Sequence, residues 1–324
     1  MVIGLGSMGR RRIRLMKKFD NSIIVVGVDT NPERCKAVSE EYGIETASCI
    51  KEAIEKSGCE FAFVCTSPLS HADVIGECLK NQLHVFSEIN LVSDKYESNI
   101  KLASEVGKEL FLSSTFLYRK EINHIKSIVE ETAKKCVYRY HCGQYLPDWH
   151  PWEDYRNFFV SNKRSNACRE LFAIELPWII DAFGQVKKVS ASHGNASDLQ
   201  IDFPDFFNVI VEHENGTSGV ITIDIVARKA IRDLEVYNED IYVKWNGTPD
   251  GLFKYNILTK EFENIKTYEQ VDKLSEYSEN IIEDAYLGEI INFFESVEGA
   301  GTPRYSFEKD LKTLRIIDQI EQGI

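Results

Sequence analysis

The sequence predicts an α/β chain in two parts: a doubly wound parallel sheet over residues 1–117, then an α+β domain with an open, mostly antiparallel sheet over residues 118–324. Three observations predict it. Continuous apolar strands alternate with amphipathic helices through the first third, the pattern of a parallel sheet covered on both faces. After Phe116 the strands follow one another directly, with hairpin signals such as Glu214-Asn215-Gly216 between them. The length of 324 residues also exceeds the roughly 250–300 at which single cores stop growing.

In the first part, Val2-Ile3 ends a buried strand and a helix follows from Gly9 to Lys18. The apolar run Ile23–Val28 is the second strand, and Asn31 caps a helix that opens on Pro32 and runs to Tyr42. A helix over Ile50–Ser57, a strand over Phe61–Cys65, a helix over Ser70–Asn81, a strand over His84–Phe86, a helix over Asp94–Gly107 and a strand over Leu110–Ser113 complete it. In the second part a helix, Ile122–Ala133, leads into strands at Val137–Gln144, Phe206–Glu214, Ser218–Val226, Asp233–Tyr237 and Ile241–Trp245. Helices Ala167–Phe183 and Tyr286–Glu298 are expected on one face of that sheet, and Ser306–Gln322 as a last amphipathic helix.

Composition narrows the function classes. A formal net charge of −13 argues against nucleic acid, whose backbone selects Lys/Arg patches. The one basic cluster, Arg10, Arg11, Arg12, Arg14, Lys17 and Lys18, reads mostly as a solvated helix face. No apolar run approaches the ~20 residues that span a bilayer, so no membrane partner is expected. The first residues already read as strand and glycine loop, from which no leader and a cytoplasmic location are expected. The eight cysteines form no C-x-x-C pair and read as free thiols, with no metal site.

The strongest motif is Gly4-Leu5-Gly6-Ser7-Met8-Gly9, set between a strand and a helix, with Asp29 ending the second strand. In that context a G-x-G-x-x-G run marks a Rossmann dinucleotide site. Gly4 permits the tight turn, Gly6 lets backbone approach a pyrophosphate, and Gly9 lets helix and strand pack closely. The N–H groups at the helix start, including those of Ser7 and Met8, then face the phosphates. Asp29 would accept hydrogen bonds from the ribose hydroxyls and repel a 2′-phosphate, which favours NAD over NADP.

Further motifs extend the reading: Val28-Asp29-Thr30-Asn31-Pro32-Glu33-Arg34, Val64-Cys65-Thr66-Ser67-Pro68-Leu69-Ser70-His71, His84-Val85-Phe86-Ser87-Glu88-Ile89-Asn90, Phe116-Leu117-Tyr118-Arg119, and Pro303 with Ser306. With the glycine loop these resemble, over essentially the whole chain, the glucose–fructose oxidoreductase / inositol dehydrogenase family, Gfo/Idh/MocA. The resemblance implies an NAD(P)-dependent oxidoreductase acting by hydride transfer on a sugar, polyol or nucleotide-sugar derivative. It implies a homo-oligomer, dimer or tetramer, formed through the open sheet. It also places Thr66, Ser67, Pro68, His71 and Glu88 against the cofactor, which agrees with their positions at or after strand ends.

The departures matter as much. Ile89 stands where the family motif has a lysine and Asn90 where it has a proline. Ile174 and Pro177 stand where the family has a histidine and an aspartate facing the nicotinamide. In one reading other groups do the proton chemistry. The stretch from Tyr145 to Arg156 supplies Trp149, His150 and Arg156 as substrate-binding residues with Arg169 and Glu170, and His150, Tyr155 and Glu175 as catalytic candidates. The structural alternative is a surface loop anchored by Trp149 and Trp152, with Glu175 paired to Arg169 on its own helix. In the other reading the chain has kept the dinucleotide and lost the reaction, and serves as an NAD-binding sugar sensor.

Overall fold

A computed structural model describes residues 1–151, 153–272 and 281–323. Two compact units emerge, Met1–Ser114 with Tyr286–Leu311, and Thr115–Ala285 with Lys312–Ile324. The boundary expected at residue 117 thus lies beside a break after Ser114, and the chain returns to the first unit for Tyr286–Leu311.

The first unit alternates β1 (Val2–Ile3), α1 (Ser7–Phe19), β2 (Val26–Val28), α2 (Pro32–Tyr42), β3 (Glu45–Ala47), α3 (Ile50–Ser57), β4 (Phe61–Val64), α4 (His71–Lys80), β5 (His84–Ser87), α5 (Tyr96–Val106) and β6 (Leu110–Leu112). Its six strands are parallel in the order β3-β2-β1-β4-β5-β6. The order reverses between β1 and β4, and ligands of such sheets bind beyond the carboxyl ends of the strands there. Strand β3 escaped the sequence reading because only Ala47 of its three residues is buried, which leaves no apolar run to see.

The second unit begins with α6 (Lys120–Glu131), β7 (Val137–Gly143) and α7 (Ala167–Phe183), followed by β8 (Val186–Gly194), β9 (Phe206–His213), β10 (Ser218–Asp224), β11 (Ile231–Tyr237), β12 (Tyr242–Trp245), β13 (Leu252–Asn256) and β14 (Glu261–Asn264). The strands form one sheet in the order β14-β13-β12-β11-β7-β10-β9-β8. Every pairing is antiparallel except β7 with β10. Alternation sets the faces: Tyr138, Tyr140 and Cys142 of β7 are buried, while Val137 and Arg139 are exposed. Strands β8 and β14 went unread because they are largely solvated, and β13 because only Leu252 of its five residues is buried.

The helix expected at Tyr286–Glu298 on the second sheet is misplaced in that reading. It is α8 (Glu283–Val297), and from Tyr286 onward it belongs to the first unit. Phe293 explains why: its ring lies 5.3 Å from Phe63 and 5.7 Å from both Phe86 and Phe111, three aromatic residues on adjacent parallel strands. The last helix, α9, spans Phe307–Gln322. Among the described residues no helix is long and apolar enough to cross a membrane, and all eight cysteines are free.

Candidate functional site

In the first unit the glycine loop joins β1 to α1, and its geometry requires its residues. Gly4 has φ +91°, and a Cβ there would sit 2.6 Å from the Cys65 carbonyl oxygen. A Cβ on Gly9 would meet the Gly4 carbonyl oxygen at 1.9 Å. Gly6 differs: among the described residues nothing lies within 4 Å of its added Cβ, so the space over the loop is open to a ligand. Helix α1 starts at Ser7 with no side-chain cap on its N-terminus, which leaves its first N–H groups to an external acceptor. A pyrophosphate fits that cradle.

Asp29 follows β2 and holds the loop. Its Oδ2 accepts from Leu5 N–H at 2.9 Å and its Oδ1 from Asn31 N–H at 2.8 Å. Arg34 Nη1 lies 3.8 Å from Oδ2. Each carboxylate oxygen has a second lone pair, so this anchoring is compatible with ribose hydroxyls as further donors.

The turn after β4 carries Thr66, Ser67 and Pro68 into α4. Ser70 Oγ donates to Thr66 Oγ1 at 2.9 Å, and His71 Nε2 donates to the Thr66 carbonyl at 2.9 Å. His71 Nδ1 lies 2.8 Å from Asn90 Oδ1, while Asn90 Nδ2 is buried with no partner among the described residues. Burial lowers the His71 pKa, so the ring is neutral; turning the Asn90 amide over supplies Nδ1 with a donor. Asn90, the departure from the expected proline, therefore braces the turn through His71.

The solvated-helix reading of the basic cluster fails at Arg11 and Arg12, both buried. Arg12 Nε donates to Glu88 Oε1 at 2.6 Å and Nη2 to Glu289 Oε2 at 2.7 Å, with Nη1 on the Tyr286 carbonyl at 3.2 Å. A guanidinium between two carboxylates and 4.5 Å from the Phe86 ring is an interior ion cluster. Glu88 thus turns its carboxylate to Arg12, beneath the strand end at which the sequence placed it.

In the second unit, α7 starts on Asn166, whose side chain accepts from Arg169 N–H. Arg169 does not pair with Glu175. Its Nη2 donates to Asp318 at 2.7 Å and its Nη1 to Glu321, both on α9. The reason is helical phase: residues five and six apart do not share a face, whereas α9 offers carboxylates on the right side. Glu175, 1% exposed, collects Tyr140 Oη at 2.6 Å, Trp178 Nε1 at 2.7 Å, Arg232 Nε at 2.9 Å and Cys142 Sγ at 3.5 Å. Glu170 is the contrary case. One of its carboxyl oxygens is buried with no partner among the described residues, and burial pushes its pKa up to about 8.

The stretch after β7 folds back on itself. Trp149 Nε1 donates to the Gln144 carbonyl at 3.0 Å, and the His150 ring packs 4.7 Å from Phe158. Tyr155 Oη accepts from Gln200 N–H at 3.3 Å, while Arg156 binds Asp154 and, at 3.2 Å, Gln200 Oε1. Trp149, His150 and Tyr155 line one crevice with Leu146, Glu153 and Phe158; burial lowers the His150 pKa. Trp152 lies outside the described residues.

Sequence reasoning missed Arg12, Asn90 and Arg232. The signal for Arg232 was present: it alternates with Leu234 and Val236, so a charge stands on the apolar face of β11. Arg12 had no such signal, since a run of arginines hides the inward one.

Residues 1–113 match the family model described as an oxidoreductase family with an NAD-binding Rossmann fold. Over 324 aligned positions the chain is 26% identical to the myo-inositol 2-dehydrogenase of Thermotoga maritima, covering 95% of this chain and 90% of that one. Among solved structures, an oxidoreductase from Agrobacterium radiobacter in complex with NAD+, L-tartaric acid and magnesium superposes with a TM-score of 0.80 at 15% identity, covering 99% of this chain and 94% of that one. The UDP-N-acetylglucosamine 3-dehydrogenase of Acidithiobacillus ferrooxidans gives a TM-score of 0.77 at 15% identity, covering 100% and 96%. At such identities the structural likeness is one of fold.

Proposed function

We propose that the chain is an NAD-dependent oxidoreductase of the Gfo/Idh/MocA type, which moves hydride between nicotinamide and a sugar, polyol or nucleotide-sugar derivative; the family match over residues 1–113 and the 26% identity to a myo-inositol 2-dehydrogenase support this. The observation that carries this is the glycine loop closed onto Asp29: open space over Gly6, an uncapped α1 and a carboxylate tied to Leu5 N–H. An acidic group at the end of β2 favours the ribose hydroxyls of NAD over a 2′-phosphate. When bound, the nicotinamide supplies the hydride donor or acceptor. The likeness to a myo-inositol 2-dehydrogenase supports a polyhydroxylated substrate.

The chain must still move a proton. Ile89, Ile174 and Pro177 have none to give. Glu170 lies one helical turn before Ile174, on the same stripe of α7. With a pKa near 8 and one oxygen without a partner among the described residues, it is protonated at neutral pH and poised to give that proton to a developing alkoxide. In the oxidative direction the ionised carboxylate takes the hydroxyl proton. We assign the transfer to Glu170. Glu175, with four donors around it, positions Tyr140, Trp178 and Arg232. His150 and Tyr155 stand as the alternative on the loop after β7.

The three apolar replacements favour a second reading, a silent NAD-binding sugar sensor. Titration of NADH and NADPH followed by tryptophan fluorescence tests the cofactor part. NADH should bind at least about tenfold more tightly, the effect of opposing a 2′-phosphate with a carboxylate. Equal affinities remove the assignment to Asp29, and only turnover separates enzyme from sensor.

A further inference from the structure

We propose that Arg232 binds an anionic group of the substrate, a carboxylate or a phosphate, so that the molecule acted on is a sugar acid or a phosphorylated sugar and not a neutral polyol. The inference rests on the oxidoreductase reading above and narrows its substrate class. Arg232 stands on the inward face of β11, opposite Cys142 of β7. Its side chain is only 18% exposed. A charge in such a place costs desolvation unless it is paired, and Glu175 pairs it through Nε alone, at 2.9 Å.

Carboxylates and guanidinium groups usually meet fork to fork. Here they do not, because Oε2 of Glu175 is already taken by Tyr140 Oη and Trp178 Nε1. Among the described residues nothing accepts from Nη1 or Nη2 of Arg232, and neither nitrogen is sealed from solvent. Arg12 and Arg169 provide the contrast: each has both terminal nitrogens on protein acceptors.

The Phe116 ring, 5.1 Å from the Arg232 guanidinium, packs against it. A guanidinium so held presents a preorganised edge of two N–H donors, which matches two oxygens of a carboxylate or phosphate. Although burial opposes its charge, Cys142, Glu175 and Tyr140 keep the Arg232 pKa above the usual value. The Glu175 charge is shared with three other donors, so it compensates the far end of the fork incompletely. Arg228 and Lys229, exposed just before β11, add positive charge.

The test is calorimetric titration of the NAD-saturated protein with glucuronate, with glucose 6-phosphate and with myo-inositol, which separates carboxylate, phosphate and neutral arms. One anion should bind at least about tenfold more tightly than myo-inositol, the value of one charge-assisted hydrogen bond. Arg232→Lys, which keeps a cation beside Glu175 but loses the fork, should erase that preference and leave myo-inositol binding within about twofold. If that variant does not fold, the double variant R232Q/E175Q leaves no lone buried charge and should give the same result. Anions and myo-inositol bound equally, no anion bound, or a preference that survives loss of the fork would each overturn the proposal. The arms also separate it from the reaction assignment. NAD+ reduction by a neutral polyol without anion preference sinks the anion site alone; an Arg232-dependent anion site with no turnover of any sugar sinks the oxidoreductase reading alone.

Discussion

Leu5 donates its backbone N–H to the Asp29 carboxylate at 2.9 Å, so the residue that would receive the adenosine ribose also fixes the loop that would receive the phosphates. The two ends of the dinucleotide cradle are therefore one structural object. Asp29→Ala should weaken NADH binding by about tenfold or more and cost on the order of 1 kcal/mol of stability through the orphaned Leu5 N–H. Asp29→Asn keeps the acceptor and removes the charge, so its clearest effect should be a rise in NADPH affinity relative to NADH. Fluorescence titration of both variants with both cofactors checks this. An unchanged cofactor ratio in Asp29→Asn would count against the charge argument.

Glu170 makes a prediction with a definite sign. Burial raises its pKa from the ordinary 4.5 to about 8 in the folded chain. The folded state thus holds the proton more tightly than the unfolded one. Its contribution to stability is full below pH 4.5 and is lost as pH rises through about 8. Melting temperatures measured from about pH 5 to 9 should fall in the parent protein and fall less in Glu170→Gln. The same substitution should remove any inflection near pH 8 from kcat/KM while far-UV circular dichroism is unchanged.

Arg12 holds Glu88 and Glu289 together in the interior of the first unit. Arg12→Met leaves two buried carboxylates without their cation and should cost about 3–5 kcal/mol in urea unfolding. Glu88→Gln keeps one carboxylate for the guanidinium and should cost less. Equal stability of Arg12→Met and the parent would show that the cluster contributes nothing.

The open face of the second sheet carries Val137, Ile210 and Val220 at 44%, 53% and 44% exposure. These side chains form an uncovered apolar patch among polar neighbours, the mark of an interaction surface. We predict that the parent protein is a dimer or tetramer by light scattering and that Ile210→Lys with Val220→Lys lowers its mass toward the monomer. A monomeric parent would remove the patch from the account.

The parallel sheet was legible because its strands are short apolar runs between amphipathic helices, and the glycine loop because its backbone conformation admits so few residues. Solvated strands such as Glu261–Asn264 carry no such pattern. Polar networks were harder still. The sequence left open whether Glu175 paired with Arg169, whereas its partners come from β7 and β11 and from Trp178 on its own helix. Asn90 read as a lost proline, and its bond to His71 is visible only in three dimensions. The pattern of hydrophobic residues encodes layers; which polar atoms meet inside them depends on register.

Whether the chain catalyses hydride transfer is tested by absorbance at 340 nm with NAD+ or NADH and a panel of sugars, sugar acids, sugar phosphates, polyols and nucleotide sugars, run in both directions. Nicotinamide turnover is expected with at least one member of the panel, lost in Glu170→Gln and weakened in Asp29→Ala. NADH binding without turnover across the whole panel would contradict it and leave the chain as a sensor.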